Sequence, residues 1–269
     1  MKIALISFHN AYDYGACLQA YALEKAVDSL GAESEYINYN NKIITETYQI
    51  RSRLIRSLKK RDVKGVIRNI LGAPLAWSRI HKFKTFYKEN LKITEKKYFS
   101  SKELEEIEND YDKFISGGDQ IWNDELTGSD SAYFLDFIKN RNLKISYSSS
   151  FGMIKCDDEN RLSPLLNDFC CISTRERSGV EIIEKLTGRK AHLVLDPVFL
   201  ADKSAWERNI PGKKSESTYA FIYLNDDFNV SDYEKTTNHK IKNKHILSAS
   251  VSIKDFIKPG QKITFSMSP

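Results

Sequence analysis

A short apolar run, Ile3-Ala4-Leu5-Ile6-Ser7-Phe8, is followed by a polar turn and then by a helical pattern that opens at Gly15 and closes at Gly31. A strand, a glycine-bearing turn and a helix, in that order, begin a βαβ unit, and they constrain the fold more than any other stretch. Unpaired N–H groups at the start of such a helix, together with its macrodipole, favour negative charge there. Gly15 lets a ligand approach the backbone, and Asp13 is placed to cap the helix. The same residues also describe an ordinary capped helix, so this segment alone does not fix a function.

Strand and helix patterns then alternate. Glu33–Tyr39 reads as a strand, and a long helical stretch runs from about 48 to 90, with a break expected near Gly72-Ala73-Pro74 because proline disfavours helix continuation. Ser101–Asn109 reads as a short acidic helix, and Tyr111–Ser116 and Leu143–Ser149 as buried strands. Cys170–Thr174 and Ala191–Leu195 read as further strands, separated by a helix over Ser178–Leu186 that Gly188 stops. This alternation predicts an α/β fold with a parallel sheet covered on both faces. A first domain over 1–205 carries the helical insertion at about 48–90. After a loop near Pro211-Gly212, the strands Tyr219–Leu224 and Ile246–Val251 begin a second α/β unit over 206–269. That stretch is short for an independent domain, and it is expected to be incomplete.

With 269 residues, 41% hydrophobic and 12% aromatic, the composition is globular and not that of a disordered chain. No apolar run has the length of a membrane span, and the N-terminal apolar run is too short for a secretory signal. Cys17, Cys156, Cys170 and Cys171 lack CxxC spacing, and neighbours in a strand point to opposite faces, so reduced thiols in the cytoplasm are expected. No cluster has metal-ligand spacing. The net charge of +5 is uneven: eight Lys and Arg fall between Arg51 and Arg68 against the single acid Asp62, interleaved with apolar residues at helical spacing. Such a helix is either a solvated face over the core or a peripheral contact with an anionic membrane surface, and it also suits the steering of an anionic substrate. Nucleic acid is disfavoured, since no binding motif accompanies the charge.

In a parallel sheet, ligands bind beyond the carboxyl ends of the strands. The chemically unusual residues fall there repeatedly: His9 to Gly15, Gly117 to Asn123, Ser148 to Gly152, and Arg175 to Gly179. These turns are expected to meet along one rim. His9 and Trp122 carry two readings each, a site role or a core role, and His192 reads as structural.

Five separated stretches carry a resemblance. Asp13-Tyr14-Gly15-Ala16 with Leu18-Gln19-Ala20-Tyr21-Ala22-Leu23, Gly118-Asp119-Gln120-Ile121-Trp122-Asn123, Ser150-Phe151-Gly152, Ser173-Thr174-Arg175-Glu176 and Leu195-Asp196-Pro197-Val198 occur in the order seen in the polysaccharide pyruvyl transferase family, which the chain resembles over roughly residues 1 to 205. The resemblance implies a GT-B-like architecture of two Rossmann-type domains and transfer of a pyruvyl group from phosphoenolpyruvate to a sugar of a polysaccharide precursor, forming a ketal. It implies an enzyme without a further cofactor, acting on a sugar or lipid-linked glycan in the cytoplasm or at the inner face of the membrane. The sequence departs from the family pattern at Asp13, where Asn is usual, and at Gly118, where Ser is frequent. It also lacks a counterpart of the family's Ser-Phe-His-Gly motif, so a chain ending at Pro269 is expected to show no turnover. Two other readings compete: a GT-B glycosyltransferase using a nucleotide sugar, and a non-catalytic glycan-binding fragment.

Phosphoenolpyruvate carries a phosphate and a carboxylate, which call for cationic or N–H donors, and ketal formation calls for proton transfer. Arg175 is the candidate anion clamp and Asp119 the candidate acid/base, with an ion pair and a turn cap as their respective structural readings. Substrate contacts are expected from Asp13, Tyr14, Gly15, Gln19, Gly118, Gln120, Asn123, Ser150 and Glu176, the motif residues at the strand ends.

Overall fold

The computed structural model describes residues 1–152, 158–207, 220–224 and 244–248. The chain divides into two compact units, Met1–Gln49 with Phe86–Asn209 and Ile50–Thr85 with Ile210–Pro269. The first is built on a parallel sheet of β1 (Lys2–Ile6), β2 (Glu33–Tyr39), β3 (Ile93–Tyr98), β4 (Lys113–Gly117) and β5 (Lys144–Tyr147) in the order β3-β2-β1-β4-β5. This is the order of a doubly wound sheet, with β1 at the point where the connections change direction.

Beyond β5 the sheet continues as single bridges, Ile145 to Cys171 and Ser149 to Thr174, which lead to the parallel pair β6 (Ser173–Thr174) and β7 (His192–Leu193). Of the strand expected over Cys170–Thr174, two residues pair with β7; toward β5, backbone bonds from the Cys170 N–H to the Lys144 carbonyl (3.0 Å) and from the Ser146 N–H to the Cys171 carbonyl (3.0 Å) are followed by bonds through serine hydroxyls. Ser146 Oγ donates to the Ser173 carbonyl (3.0 Å) and accepts from the Ser173 N–H (2.8 Å), while Ser173 Oγ donates to the Ser146 carbonyl (2.8 Å) and accepts from the Ser148 N–H (3.2 Å).

The α-helices among the described residues are α1 (Tyr14–Ser29), α2 (Lys42–Tyr48), α3 (Ile50–Lys59), α4 (Val63–Asn90), α5 (Ser101–Leu104), α6 (Asp124–Thr127), α7 (Glu159–Asn167), α8 (Arg177–Thr187) and α9 (Lys203–Glu207). The expected interruption at Pro74 does not occur, and α4 runs through it. The chain breaks earlier, where Arg61 takes φ +53° and the Asp62 carboxylate accepts the Gly65 N–H (2.9 Å), a side-chain cap that starts α4. The strand Ile93–Tyr98, not evident from its sequence, is an edge strand whose Glu95, Lys96 and Lys97 are exposed.

Ala4, Leu5 and Ile6 are fully buried, as expected of a parallel strand covered on both faces. The core of the first unit is aromatic: Trp122 stacks on Phe134 (centroids 5.4 Å apart, planes at 8°), lies against Phe151 and Phe169, and donates its indole N–H to the Tyr133 carbonyl (3.2 Å). Trp122 is therefore a core residue and presents no ring for a sugar. His9 is also internal, with Nδ1 3.1 Å from the Ser7 carbonyl and its ring stacked on Tyr36. The second unit contributes α3, the part of α4 up to Thr85 and a parallel pair, β8 (Ala220–Leu224) and β9 (Lys244–Ser248). The loop expected near Pro211 and the end of the strand expected over Ile246–Val251 lie outside the described residues.

Candidate functional site

Because β1, β4, β5 and β6 run parallel, the segments that follow them leave the sheet at one edge. Asp13 caps α1, accepting the Ala16 N–H at 3.2 Å, and a Cβ built on Gly15 would stand 3.1 Å from that carboxylate. After β4 the chain turns at Gly118 with φ +93°, a conformation open to glycine and strained for other residues. A Cβ there would lie 3.4 Å from Pro197 Cγ and 3.8 Å from Gln19 Cβ, so three of the five motifs meet at this turn.

At the end of β5, Ser148 is buried with φ +58°, an uncommon state for a serine. It bends the chain so that Ser149 Oγ donates to the Ser116 carbonyl (2.9 Å), the Ser150 N–H to the Asp119 carbonyl (3.0 Å) and the Trp122 N–H to the Ser150 carbonyl (3.1 Å). Ser150 is fully buried and its hydroxyl accepts the Gly152 N–H (3.0 Å), so it shapes the loop and does not face solvent. Gln120 and Asn123 form a neighbouring pair: Asn123 Nδ2 donates to Gln120 Oε1 (3.2 Å), and Asn123 Oδ1 caps α6 by accepting the Glu125 N–H (3.0 Å).

The centre of the site is a charge cluster. Arg175 follows β6 and directs its fork into three carboxylates: Nε to Glu176 (2.9 Å), Nη1 to Asp196 (2.7 Å), and Nη2 to Asp119 (3.8 Å), with Nη1 also 3.4 Å from the Gly118 carbonyl. Asp196 holds several segments at once. Its Oδ1 accepts the Val198 N–H (3.1 Å), capping the turn Pro197–Phe199, while its Oδ2 receives both Arg175 and the Gln19 amide. Gln19 Oε1 is buried without a partner among the described residues. Tyr14 is buried at the start of α1.

Asp119 has the unusual electrostatics. Burial raises its pKa from 3.8 to about 6, with Asp13 and Asp196 adding to the rise. The Gln120 N–H, donated to Oδ1 at 2.7 Å, and the Arg175 charge oppose it. A carboxyl that titrates near neutrality at the end of a sheet strand can both accept and return a proton. His9 does not serve this purpose: burial lowers its pKa to about 4, so it is neutral, and it faces the core.

Of the residues singled out by sequence, the structure joins Gln19, Gly118, Asp119, Arg175 and Glu176 directly and sets Asp13 near enough to act on Asp119. Gln120, Asn123 and Ser150 adjoin them through the Gly152 loop, where a Cβ would stand 2.2 Å from Gln120 Oε1. Asp196 was not among the candidate site residues. Its signal was the Asp-Pro pair after the last strand pattern, which also marks a plain turn.

A parallel α/β unit with a half-buried cluster of carboxylates around an arginine at the strand ends is the arrangement in which α/β domains hold ligands. A model of the polysaccharide pyruvyl transferase family matches residues 13–259, and the chain belongs to that family. No curated protein and no solved structure matches it.

Proposed function

We propose that this protein transfers the pyruvyl group of phosphoenolpyruvate to two hydroxyls of a sugar in a polysaccharide precursor, releasing phosphate and forming a ketal. We infer a GT-B-like arrangement for the whole enzyme and a cytoplasmic reaction, the compartment where thiols such as Cys17, Cys170 and Cys171 persist in reduced form. The observation that carries the reading is Asp119, a half-buried carboxyl held near neutral pKa beside Arg175 in a chain of this family.

The donor's CH2 carbon takes up a proton, positive charge develops at the neighbouring carbon, and the two sugar oxygens form bonds to that carbon as the bond to the phosphate oxygen breaks. Of the two hydroxyl protons lost, one balances the new methyl group and the other leaves with phosphate. Asp119 accepts a hydroxyl proton from the acceptor, and its raised pKa fits it to do so near neutral pH. Gln19 Oε1, buried and unpaired among the described residues, accepts a hydrogen bond from a sugar hydroxyl. Arg175 meets the donor through Nη2, the least engaged edge of its fork, while Asp196 fixes its other side.

The test incubates the protein with phosphoenolpyruvate and a panel of glycans, reading phosphate release and the ketal methyl signal by NMR. Glycan-dependent release with ketal formation is expected when the enzyme carries the Ser-Phe-His-Gly motif, and there Asp119→Asn should lower kcat by about 100-fold or more with little change in KM, whereas the 269 residues without that motif are expected to show no turnover. Release of a nucleoside diphosphate from a nucleotide sugar, with no ketal formed, would replace this reading with a glycosyltransferase.

A further inference from the structure

The basic stretch of the second unit is an antiparallel helical hairpin. Asn69 Nδ2 of α4 donates to Ser57 Oγ (3.0 Å) and to the Arg53 carbonyl (3.3 Å) of α3, and a Cβ on Gly65 would stand 2.9 Å from Ser57 Oγ. Gly65 and Asn69 thus mark the side of α4 turned to α3. At about 100° per residue, Val63, Ile67, Ile70, Leu71 and Trp77 fall within about 120° of the opposite side. All five are between 50% and 69% exposed. This apolar stripe is continuous over four turns, and α3 exposes Ile55 and Leu58 and buries no residue.

Charge accompanies the stripe. Eight Lys and Arg lie between Arg51 and Arg68 against Asp62. Among the described residues none of these cations forms an ion pair. They act on one another instead: partial burial, then Arg68, Arg79 and Arg56, lower the pKa of Arg53. A face that exposes apolar side chains beside crowded cations is complementary to a surface with acyl chains beneath a layer of negative charge. A second copy of the chain would bring the same positive charge and be repelled. No helix of the described residues is long and apolar enough to cross a membrane, so the hairpin would lie on the bilayer and not span it. Trp77, stacked on His81 at one end of the stripe, is the residue type favoured at the headgroup level.

We propose that the α3–α4 hairpin binds the surface of an anionic bilayer, seating Val63, Ile67, Ile70, Leu71 and Trp77 among the headgroups. This binding is independent of the transfer reaction and would bring the protein to acceptors carried on lipid.

The experiment is co-sedimentation of the 269-residue protein with vesicles of phosphatidylcholine alone or mixed with phosphatidylglycerol. Binding to the mixed vesicles alone is expected, weakening as salt rises. The combined change Arg53→Gln, Arg56→Gln and Lys60→Gln should lower the partition coefficient about 100-fold, at roughly fivefold per charge. Ile67→Gln with Leu71→Gln should lower it at least tenfold. Phe99→Gln, which alters an exposed aromatic outside the hairpin, should leave it unchanged. Circular dichroism identifies folded variants. Equal binding to neutral vesicles, no binding by the folded protein, or an equal loss in Phe99→Gln would overturn the proposal. So would a dimer in sedimentation that Ile67→Gln dissociates, since the stripe would then be a self-association surface.

Discussion

Two titratable groups near the strand ends, one half-buried and one buried, pull stability in opposite directions with pH. Asp119 binds its proton more tightly in the folded chain, pKa about 6, than in an unfolded one near 3.8. Between those values the folded state holds the extra proton, so its contribution falls as pH rises from about 4 to 6 and stays lost above. His9 is the reverse. Its folded pKa of about 4 lies below 6.5, so stability is full above 6.5 and declines as pH falls toward 4. Asp119→Asn, which keeps an acceptor for the Gln120 N–H, should therefore stabilise the protein by about 1–3 kcal/mol at pH 8 and by little at pH 4. His9→Gln should flatten the loss of stability below pH 6.5. Urea midpoints at pH 4, 5.5 and 8 check both, and a destabilised Asp119→Asn at pH 8 would remove the case for a carboxyl held under strain for function.

At the scale of elements, the seam between β5 and the segment leading into β6 adds serine hydroxyl bonds to its backbone bonds. Ser173→Ala deletes a donor to the Ser146 carbonyl and an acceptor for the Ser148 N–H, both buried. A loss of about 2 kcal/mol is expected, read as a lower urea midpoint, with faster amide exchange at Ser148 than within β5. The same seam shows what the sequence could convey. Local alternation located β1, β2, β4, β5, α1 and α8, because apolar period and caps act within a few residues. Arg175, Asp119, Gln19 and Gly118 were legible because a fork of donors, a carboxylate, an amide and a glycine after a strand are chemically distinctive. Ile93–Tyr98 was not legible, since an edge strand needs no apolar face, and Glu95-Lys96-Lys97 resembles a solvated loop. Pro74 misled because Ile70, the residue four before it, is exposed, so water can take the carbonyl that proline leaves without a donor. Asp196 escaped because its role depends on Arg175 and Gln19 arriving from distant segments.

Over the whole molecule, the formal charge of +5 conceals a division that bears on which substrate meets the strand ends first. The cations between Arg51 and Arg68 lie in the second unit, whereas the cluster of the first unit sets Arg175 against Asp119, Glu176 and Asp196, with Asp13 nearby. Even with Asp119 protonated, that cluster is net negative. A small anion bearing both a carboxylate and a phosphate gains one partly engaged guanidinium there and is repelled by the remaining carboxylates. A neutral sugar is not repelled, and its hydroxyls find acceptors in Asp119 and Gln19 Oε1. A neutral acceptor glycan should therefore raise the melting temperature on its own, with little dependence on salt. Phosphoenolpyruvate alone should raise it less at low ionic strength, and the gap should narrow once salt shortens the Debye length to about 3 Å near 1 M. Scanning fluorimetry with each ligand across a salt series separates the cases. A larger shift with phosphoenolpyruvate alone at low salt would mean that Glu176 and Asp119 release Arg175 to the donor, and that the carboxylates act as a latch on the anion site, not as the acceptor's own contacts.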